Sequence, residues 1–131
     1  MQDFTNQLAF ITGGASGAGL GQAKVFGRAG CRIVIADIRK EAVVAALAEL
    51  RGEGIEAHGI QLDITDRAAY AKAADEVEVT FGQAPTLLFN TAGVNNFGPI
   101  EATTYGDFDW LIGVNLGGVV NGVFAFAAAM K

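Results

Sequence analysis

Short apolar runs and segments of helical period alternate along the 131 residues. The runs LAFIT (Leu8 to Thr12) and RIVIAD (Arg32 to Asp37) show no regular alternation of polar and apolar positions. Such runs are typical of parallel strands that helices cover on both faces. A third strand is predicted near Ile55 to Leu62, and a fourth in the run TLLFN, residues 86–90.

Two helices are predicted between the first three strands. The first covers Gly19 to Ala29, with Gly30 just past its end, and the second covers Arg39 to Arg51 and stops at Gly52. The second helix has one apolar face, which consists of Val43, Leu47 and Leu50.

A third helix is predicted before the fourth strand. Thr65 or Asp66 can cap its start, and Gly82 ends it. Apolar and aromatic residues recur along it at helical spacing, at Tyr70, Ala73, Ala74, Val77 and Phe81.

The last predicted helix is long and apolar. Thr104 and Asp107 form a capping-box-like entry, and the helix is expected to run to Lys131. Within it, residues 110–130 carry no charge and have glycines at small-xxx-small spacing, which also matches a membrane-spanning helix. We favour a helix buried in an α/β domain, because Asn115 and Asn121 would be costly in hydrocarbon.

This order of elements predicts the fold class. Strands that alternate with helices require right-handed crossovers and form a parallel sheet with helices on both faces. We therefore expect one α/β domain over residues 1–131, a Rossmann-type doubly wound sheet that stops after the fourth strand and the following long helix.

Composition and charge narrow the class of partner. Apolar residues make up 51% of the chain and the net charge is −5, so a disordered chain and a nucleic-acid or anionic-membrane partner are disfavoured, which leaves small molecules. One cysteine and one histidine form no metal-ligand cluster, so no metal is predicted. The N-terminus MQDFTNQ has no signal-peptide pattern, and a cytoplasmic location is expected.

The stretch TGGASGAG, Thr12 to Gly19, follows the first strand directly. A glycine-rich turn that leads into a helix lets backbone N–H groups approach a pyrophosphate, and a side chain at Gly13, Gly17 or Gly19 would obstruct it. Asp37 ends the second strand 18 residues beyond Gly19, near the spacing at which a carboxylate reaches an adenosine ribose. Together these features predict a dinucleotide site, although Asp37 can also be read as a helix cap.

The spacing Thr-Gly-x-x-x-Gly-x-Gly resembles that of the short-chain dehydrogenase/reductase family. Three further motifs in the family's order extend the resemblance along the whole chain: QLDIT, NTAG and GVNLGG. The runs GGASGAGLGQAKVFGRAG and APTLLFNTAGVNNFGPIEATTYGDFDW most resemble the bacterial Cα-dehydrogenases that oxidise benzylic alcohols of lignin aryl ethers. The resemblance implies an NAD-dependent oxidoreductase that interconverts a secondary alcohol and a ketone, homo-oligomeric in its full-length form.

The resemblance also implies roles for particular residues. Asn115 matches the family's helix-borne catalytic asparagine, although an asparagine in a buried helix can also simply bond a backbone carbonyl. Thr91 stands where the family often has a second asparagine. The implied cofactor-binding residues are Thr12, Gly13, Ser16, Gly17, Gly19, Asp37, Asp63, Ile64, Asn90, Ala92 and Gly93.

The charge at Asp37 favours NAD over NADP. A carboxylate accepts hydrogen bonds from ribose hydroxyls but repels a 2′-phosphate. The family's NADP-using members place a basic residue in the glycine loop or just after the acidic position, where this chain has Ala15, Ser16 and Ile38. Arg39 and Lys40 lie close enough to weaken this preference, although they can also be read as a solvated helix start.

The family's catalytic serine and Tyr-x-x-x-Lys have no counterpart in the sequence. Tyr70 and Tyr105 are followed four residues later by Ala74 and Asp109. We therefore expect the N-terminal half of a dehydrogenase, inactive alone, with a non-catalytic dinucleotide-binding module as the alternative. Such a half would leave TLLFN as an apolar sheet edge, leave the last helix uncovered, and tend to aggregate or dimerise.

Overall fold

The computed structural model describes residues 3–130. Three residues lie outside the described part: Met1, Gln2 and Lys131. The first two belong to the segment MQDFTNQ, and the third is the residue to which the last helix is predicted to run.

Four parallel strands form one sheet. They are β1 (Leu8–Thr12), β2 (Arg32–Asp37), β3 (Ala57–Gln61) and β4 (Leu87–Phe89), in the order β3-β2-β1-β4. In the register Ile11 lies opposite Ile35 of β2 and opposite Phe89 of β4. The order reverses direction at β1, so the carboxyl ends of β1 and β4 flank the crevice where open α/β sheets bind ligands.

Helices cover both faces of the sheet. On one face lie α1 (Gly17–Arg28) and α2 (Lys40–Gly52), and on the other lies α3 (Arg67–Phe81) with the last helix of the chain. The predicted doubly wound α/β fold is confirmed. Of the two candidate caps, Thr65 and Asp66, Asp66 caps α3 by accepting a hydrogen bond from the backbone N–H of Ala69. Gly82 ends the helix in the left-handed conformation, as predicted.

The two faces of β1 bury two separate cores. Phe10 points to one side, where its ring lies 4.7 Å from that of Phe126 and 6.0 Å from that of Tyr70. Ile11 points to the other side, into the cluster beneath α1 and α2. Every residue of β1 is at most 1% exposed, which explains why its sequence shows no polar alternation.

The observed strands are shorter than predicted at β3 and β4. At the start of β4 the hydroxyl of Thr86, rather than its backbone, accepts the hydrogen bond from the N–H of Leu8 at 3.0 Å. The side chain therefore replaces one bond of the backbone ladder, and the regular pairing begins at Leu87.

The long final helix forms, but it is neither uniform nor continuous to the end of the chain. It consists of α4 (Tyr105–Ile112), a π-helical segment (Gly113–Gly117) and α5 (Gly118–Phe126), preceded by a 3-10 turn at Ile100–Ala102. The capping box is confirmed, since Thr104 Oγ1 accepts from the Asp107 N–H and Asp107 Oδ2 accepts from the Thr104 N–H. After Phe126 the helix ends in tighter turns, such as the bond from the N–H of Ala129 to the carbonyl of Phe126.

The interpretation of this helix as buried on all sides is wrong for the described part of the chain. By length and composition alone, the stretch Tyr105–Phe126 could cross a membrane, since an 18-residue part of it has a mean hydropathy of 1.3. In the structure, 11% of that 18-residue part is buried. The buried residues of this helix are Gly118, Gly122 and Phe126, and Phe126 packs on Phe10 in the core. The two glycines allow close approach, since a Cβ at Gly118 would overlap Ile64 and one at Gly122 would lie 2.5 Å from Asn90 Oδ1. Trp110, Leu116 and Phe124 are exposed.

The apolar edge expected at the fourth strand is present. Within residues 3–130, β4 pairs with β1 alone, and its three residues are only half-buried. The uncovered apolar surface of the last helix, also expected, lies on the same side of the molecule as α3.

Candidate functional site

The glycine-rich loop follows β1 and leads into α1. Gly13 and Gly17 have φ values of +62° and +52°, in the left-handed region that favours glycine. A Cβ at Gly13 would lie 3.0 Å from the Cα of Ala92, whereas one at Gly17 would meet nothing within 4 Å. Gly17 therefore faces open space, and the N-terminus of α1 is accessible to an anion there.

Gly19 has a different role from the one the sequence suggested. A Cβ at this position would overlap the carbonyl oxygen of Gly13, so Gly19 allows α1 to pack against its own loop rather than leaving room for a ligand. Gly14, which the sequence analysis did not single out, is restricted in a similar way: its Cβ would lie 2.8 Å from Ile35, and its N–H donates to the carbonyl of Ala36.

Thr12 connects the glycine loop to the segment after β4. Its hydroxyl accepts hydrogen bonds from the N–H groups of Thr91 and Ala92, both at 3.1 Å, and donates to the carbonyl of Phe89. Thr12 is 1% exposed, so the structure places it behind the site. It positions two loops and does not face a ligand.

Asp37 lies at the carboxyl end of β2. Its side chain is 8% exposed, and its Oδ1 accepts from the backbone N–H of Arg39 at 3.1 Å. The residue that flanks α2 at its start is Arg39, so Asp37 does not occupy the helix-capping position. Its carboxylate forms part of the wall of a cavity that opens beside the glycine loop.

Arg39 lies at the start of α2 with its side chain 52% exposed, and it also contacts the glycine loop and Asp37. Its Nη2 donates to Ser16 Oγ at 2.8 Å, and its Nε lies 3.5 Å from Asp37 Oδ1. Ser16 is the residue before α1, yet its hydroxyl makes no capping bond to that helix. The signal for this contact was the position of Arg39, two residues after Asp37.

Asp63 and Ile64 follow β3 and lie on the same cavity. Asp63 is exposed, and its Oδ1 accepts from the N–H and the hydroxyl of Thr65 at 3.0 and 2.7 Å. The side chain of Ile64 is buried against α5, and the carbonyl of Ile64 accepts from Asn121 Nδ2. The carboxylate of Asp63 is therefore held at the rim while Ile64 secures the loop to the last helix.

The segment after β4 carries Asn90, Thr91, Ala92 and Gly93. The hydroxyl of Thr91 donates to Gln22 Oε1 at 2.5 Å, which ties this segment to α1 and supplies a contact that the sequence did not predict. Asn90 Oδ1 is buried and has no hydrogen-bond partner among residues 3–130.

Asn115 lies in the π-helical segment and contacts Val94. Its Oδ1 accepts from the N–H of Val94 at 2.8 Å, and its Nδ2 donates to the carbonyl of Val94 at 2.9 Å. The residue is exposed rather than buried, but its bond to the Val94 carbonyl is the backbone contact of the alternative reading. A Cβ at Gly93 would lie 3.2 Å from Asn115 Oδ1, which requires a small residue there.

These elements meet at one end of the sheet. A cavity of about 500 Å³ contains the glycine loop, the ends of β2 and β3, and the segment after β4, and a second cavity of about 430 Å³ adjoins that segment and Asn115. Ten of the twelve residues singled out from the sequence line one or both of these cavities, and the other two contact residues that do. They are Gly13, Ser16, Gly17, Asp37, Asp63, Ile64, Asn90, Ala92, Gly93 and Asn115 on the walls, with Thr12 behind, while Gly19 packs on the carbonyl of Gly13.

The two tyrosines lie away from these cavities. Tyr70 is 1% exposed, and burial raises the pKa of its hydroxyl above the ordinary value. It lines a separate cavity of about 580 Å³ between α3 and α5. Tyr105 is 90% exposed at the start of α4. Among the described residues, no group of three or more His, Cys, Asp or Glu could hold a metal ion.

Among curated proteins, a C alpha-dehydrogenase from Sphingobium sp. strain SYK-6 is 72% identical over 130 residues. The match covers 99% of this chain and 43% of that relative, so the chain spans less than half of the relative's length.

Solved structures share the fold closely. The apo form of LigD from Sphingobium sp. strain SYK-6 superposes with a TM-score of 0.96 at 73% identity, over 98% of this chain and 55% of that chain. A short chain dehydrogenase/reductase from Burkholderia phymatum in complex with NAD superposes with a TM-score of 0.94 at 35% identity, over 99% of this chain and 46% of that chain. A metagenomic short-chain oxidoreductase in complex with NADP superposes with a TM-score of 0.89 at 32% identity, over 97% of this chain and 58% of that chain.

The family model described as short chain dehydrogenase matches residues 7–131. The match includes the glycine loop, Asp37 at the end of β2, Asp63 after β3, and the asparagine of the π-helical segment. This chain therefore belongs to the short-chain dehydrogenase family.

Proposed function

We propose that this chain supplies the dinucleotide-binding part of an NAD-dependent dehydrogenase that interconverts a secondary alcohol and a ketone. The observation that carries the proposal is the common cavity beneath the open Gly17 and beside the buried carboxylate of Asp37. An anion-accepting helix start and a hydrogen-bond acceptor at the end of the next strand are what a pyrophosphate and an adenosine ribose require.

The residues of the cavity fit the cofactor in three parts. The loop from Gly13 to Gly17 holds the pyrophosphate with backbone N–H groups. Asp37 accepts bonds from the ribose hydroxyls, and Asp63 with Ile64 borders the adenine. Asn90, Ala92 and Gly93, after β4, flank the nicotinamide half. NAD, when bound, supplies the hydride acceptor for oxidation of the alcohol.

Asn115 takes part at the catalytic end of the site. Its amide holds Val94 through both backbone groups, which fixes the floor of the smaller cavity. We assign it a role in relaying the proton that leaves the alcohol. Tyr70 is enclosed in the core and Tyr105 lies in solvent, so we assign proton abstraction to other residues of the complete protein.

The substrate class is proposed from the name of one relative. The 72% identical protein is named a C alpha-dehydrogenase, and we propose a benzylic secondary alcohol, oxidised to a ketone, as the substrate here. We also propose that the protein is a homo-oligomer, that it lies in the cytoplasm, and that it has no nucleic-acid or membrane partner. The net charge of −5 supports the absence of polyanionic partners.

The test is NAD binding by isothermal titration calorimetry on the complete native protein. Gly17→Val is expected to abolish binding, because the side chain would occupy the open space where the pyrophosphate binds. Gly54→Val is the matched control: Gly54 also has a positive φ, +77°, and also faces open space, but it lies in the turn after α2. Equal NAD affinity in the Gly17 variant and the native protein would refute the assignment.

Turnover separates this proposal from a binding module without catalysis. We expect the complete protein to oxidise a benzylic secondary alcohol with NAD. The absorbance of the reduced cofactor measures this reaction. Tight NAD binding without turnover of any alcohol would favour the non-catalytic alternative.

A further inference from the structure

The segment after β4, residues 90–93, is held in place by side chains of other elements. These residues belong to no helix or strand, so no backbone ladder fixes them. Instead, Thr12 Oγ1 accepts hydrogen bonds from the N–H groups of Thr91 and Ala92, both at 3.1 Å. These two bonds fix the main chain of the segment to the end of β1.

Gln22 adds a side-chain bond from α1 to the same segment. The hydroxyl of Thr91 donates to Gln22 Oε1 at 2.5 Å, at the short end of the range for O–H···O bonds, and the contact is partly buried. Thr91 lies on the wall of the cavity beside the glycine loop. Gln22 lies little more than one helical turn after Gly17, on the helix whose start faces the proposed pyrophosphate site. One helix therefore carries the pyrophosphate site at its start and, a turn later, the anchor of the segment after β4.

We propose that Gln22 is a positioning residue of the cofactor site, which acts through Thr91 to hold residues 90–93 at the distance from α1 that the nicotinamide half of NAD requires. This inference rests on the proposed function. The hydrogen bond sets the spacing between two parts of the site that contact opposite halves of the cofactor. A wall that is already fixed loses no freedom when the nicotinamide binds against it, so the bond favours binding of that half.

Lys24 provides a contrast on the same helix. Its Nζ lies 3.3 Å from Glu49 Oε1, so it joins α1 to α2 rather than to the segment after β4. Loss of either contact removes one bond between α1 and a neighbouring element. Of the two contacts, that of Gln22 ends on the wall of the cofactor cavity. A general loosening of α1 and a specific loss of nicotinamide positioning therefore give different results in variants of the two residues.

The experiment compares the binding of NAD with that of ADP-ribose, which has the same adenosine, pyrophosphate and second ribose but lacks the nicotinamide. Dissociation constants are measured by calorimetry on the complete native protein, without substrate. Gln22→Leu keeps the bulk of the side chain and removes the acceptor. It is expected to weaken NAD binding about three- to tenfold, the size of one lost hydrogen bond, and to change ADP-ribose binding less than about twofold. Lys24→Met is the matched control and is expected to leave the ratio of the two constants unchanged.

Further variants test whether the effect depends on this bond. Gln22→Glu keeps an acceptor for the Thr91 hydroxyl and should restore most of the native ratio, because its added charge acts mainly on the pyrophosphate that both ligands carry. Thr91→Val removes the donor with little change in shape and should reproduce the loss seen in Gln22→Leu. The double variant should lose no more than either single variant, since all three lack the same bond.

Three results would overturn the inference. An equal loss of NAD and ADP-ribose affinity in Gln22→Leu would mean that Gln22 supports only the start of α1. Unchanged affinities in both Gln22→Leu and Thr91→Val would mean that the bond does not position the nicotinamide half, and additive losses in the double variant would mean that the two residues act separately. If the native protein bound neither ligand, the proposed function would fail together with the inference. NAD binding that depends on Gly17 but a ratio independent of Gln22 would remove this inference alone.

Discussion

Asn115 holds Val94 by both of its backbone groups, with its Oδ1 2.8 Å from the N–H and its Nδ2 2.9 Å from the carbonyl oxygen. The contact joins the π-helical segment to the loop after β4, across 21 residues of sequence. An asparagine amide places N–H donors beside a carbonyl acceptor in one planar group, so it can bond both backbone groups of a single residue, as a neighbouring strand would. The orientation of this loop therefore depends on the last helix.

We expect Asn115→Ala to lower the free energy of unfolding by about 1 kcal/mol, because two hydrogen bonds at an exposed site are replaced by water. Asn115→Asp keeps the acceptor for the Val94 N–H but loses the donor, and it should be destabilised as well. Chemical denaturation of the complete protein measures both, with Asn96→Ala, an exposed residue of the same loop, as the control. A drop in kcat with unchanged stability would leave only the proton-relay role.

Thr12→Val should be more costly than its small change in shape suggests. The substitution removes the acceptor for the N–H groups of Thr91 and Ala92, at a site that is 1% exposed. Unpartnered buried N–H groups cost about 1–3 kcal/mol, so a loss in that range is expected. Thr80→Val, on the exposed side of α3, is the matched control, and similar losses in the two variants would contradict the role given to Thr12.

Replacing either of two helical glycines, Gly122 and Gly21, with alanine should change the stability of the protein, and the two changes should have opposite signs. A Cβ at Gly122 would lie 2.5 Å from Asn90 Oδ1 and 2.8 Å from the Tyr70 hydroxyl, so Gly122→Ala is expected to destabilise the protein by about 1–3 kcal/mol. A Cβ at Gly21 would meet nothing within 4 Å. Gly21→Ala should therefore stabilise α1 by about 0.5–1 kcal/mol. Thermal melts of the two variants provide the comparison, and a stabilised Gly122→Ala would show that α5 packs less closely than described.

Tyr70→Phe is expected to leave stability unchanged or to raise it by up to about 1 kcal/mol. The hydroxyl is buried and has no hydrogen-bond partner among residues 3–130, so removing it relieves a desolvation cost. Burial raises the pKa of this hydroxyl above its ordinary value of 10.0. Because folding disfavours the ionised form, this group leaves stability independent of pH below pH 10 and lowers it as the pH rises above 10, a loss that Tyr70→Phe removes. Denaturation at pH 7 and above pH 10 tests both points; a clear loss in Tyr70→Phe at pH 7 would indicate a hydrogen bond at this hydroxyl.

The strands and helices were predictable because each depends on a local pattern. The structure confirms LAFIT and RIVIAD as buried strands, Thr104 as a helix cap and Gly82 as a helix end, and it selects Asp66 over Thr65 as the cap of α3. Their signals are the absence of alternation, a side chain that bonds a nearby N–H, and a left-handed backbone position, all of which lie within a few residues of sequence.

The sequence by itself determined the doubly wound architecture, the position of the glycine loop before α1 and the acidic residue at the end of β2, since all three follow from local order and spacing. The tertiary structure decided what the loop and the polar residues contact. Arg39 reaches Ser16 across 23 residues, and Asn115 reaches Val94 across 21. It also decided that Gly19 packs on Gly13 and that the last helix carries a π-helical segment. Contacts between distant segments depend on how helices settle on the sheet, and no periodicity in one segment encodes the position of another.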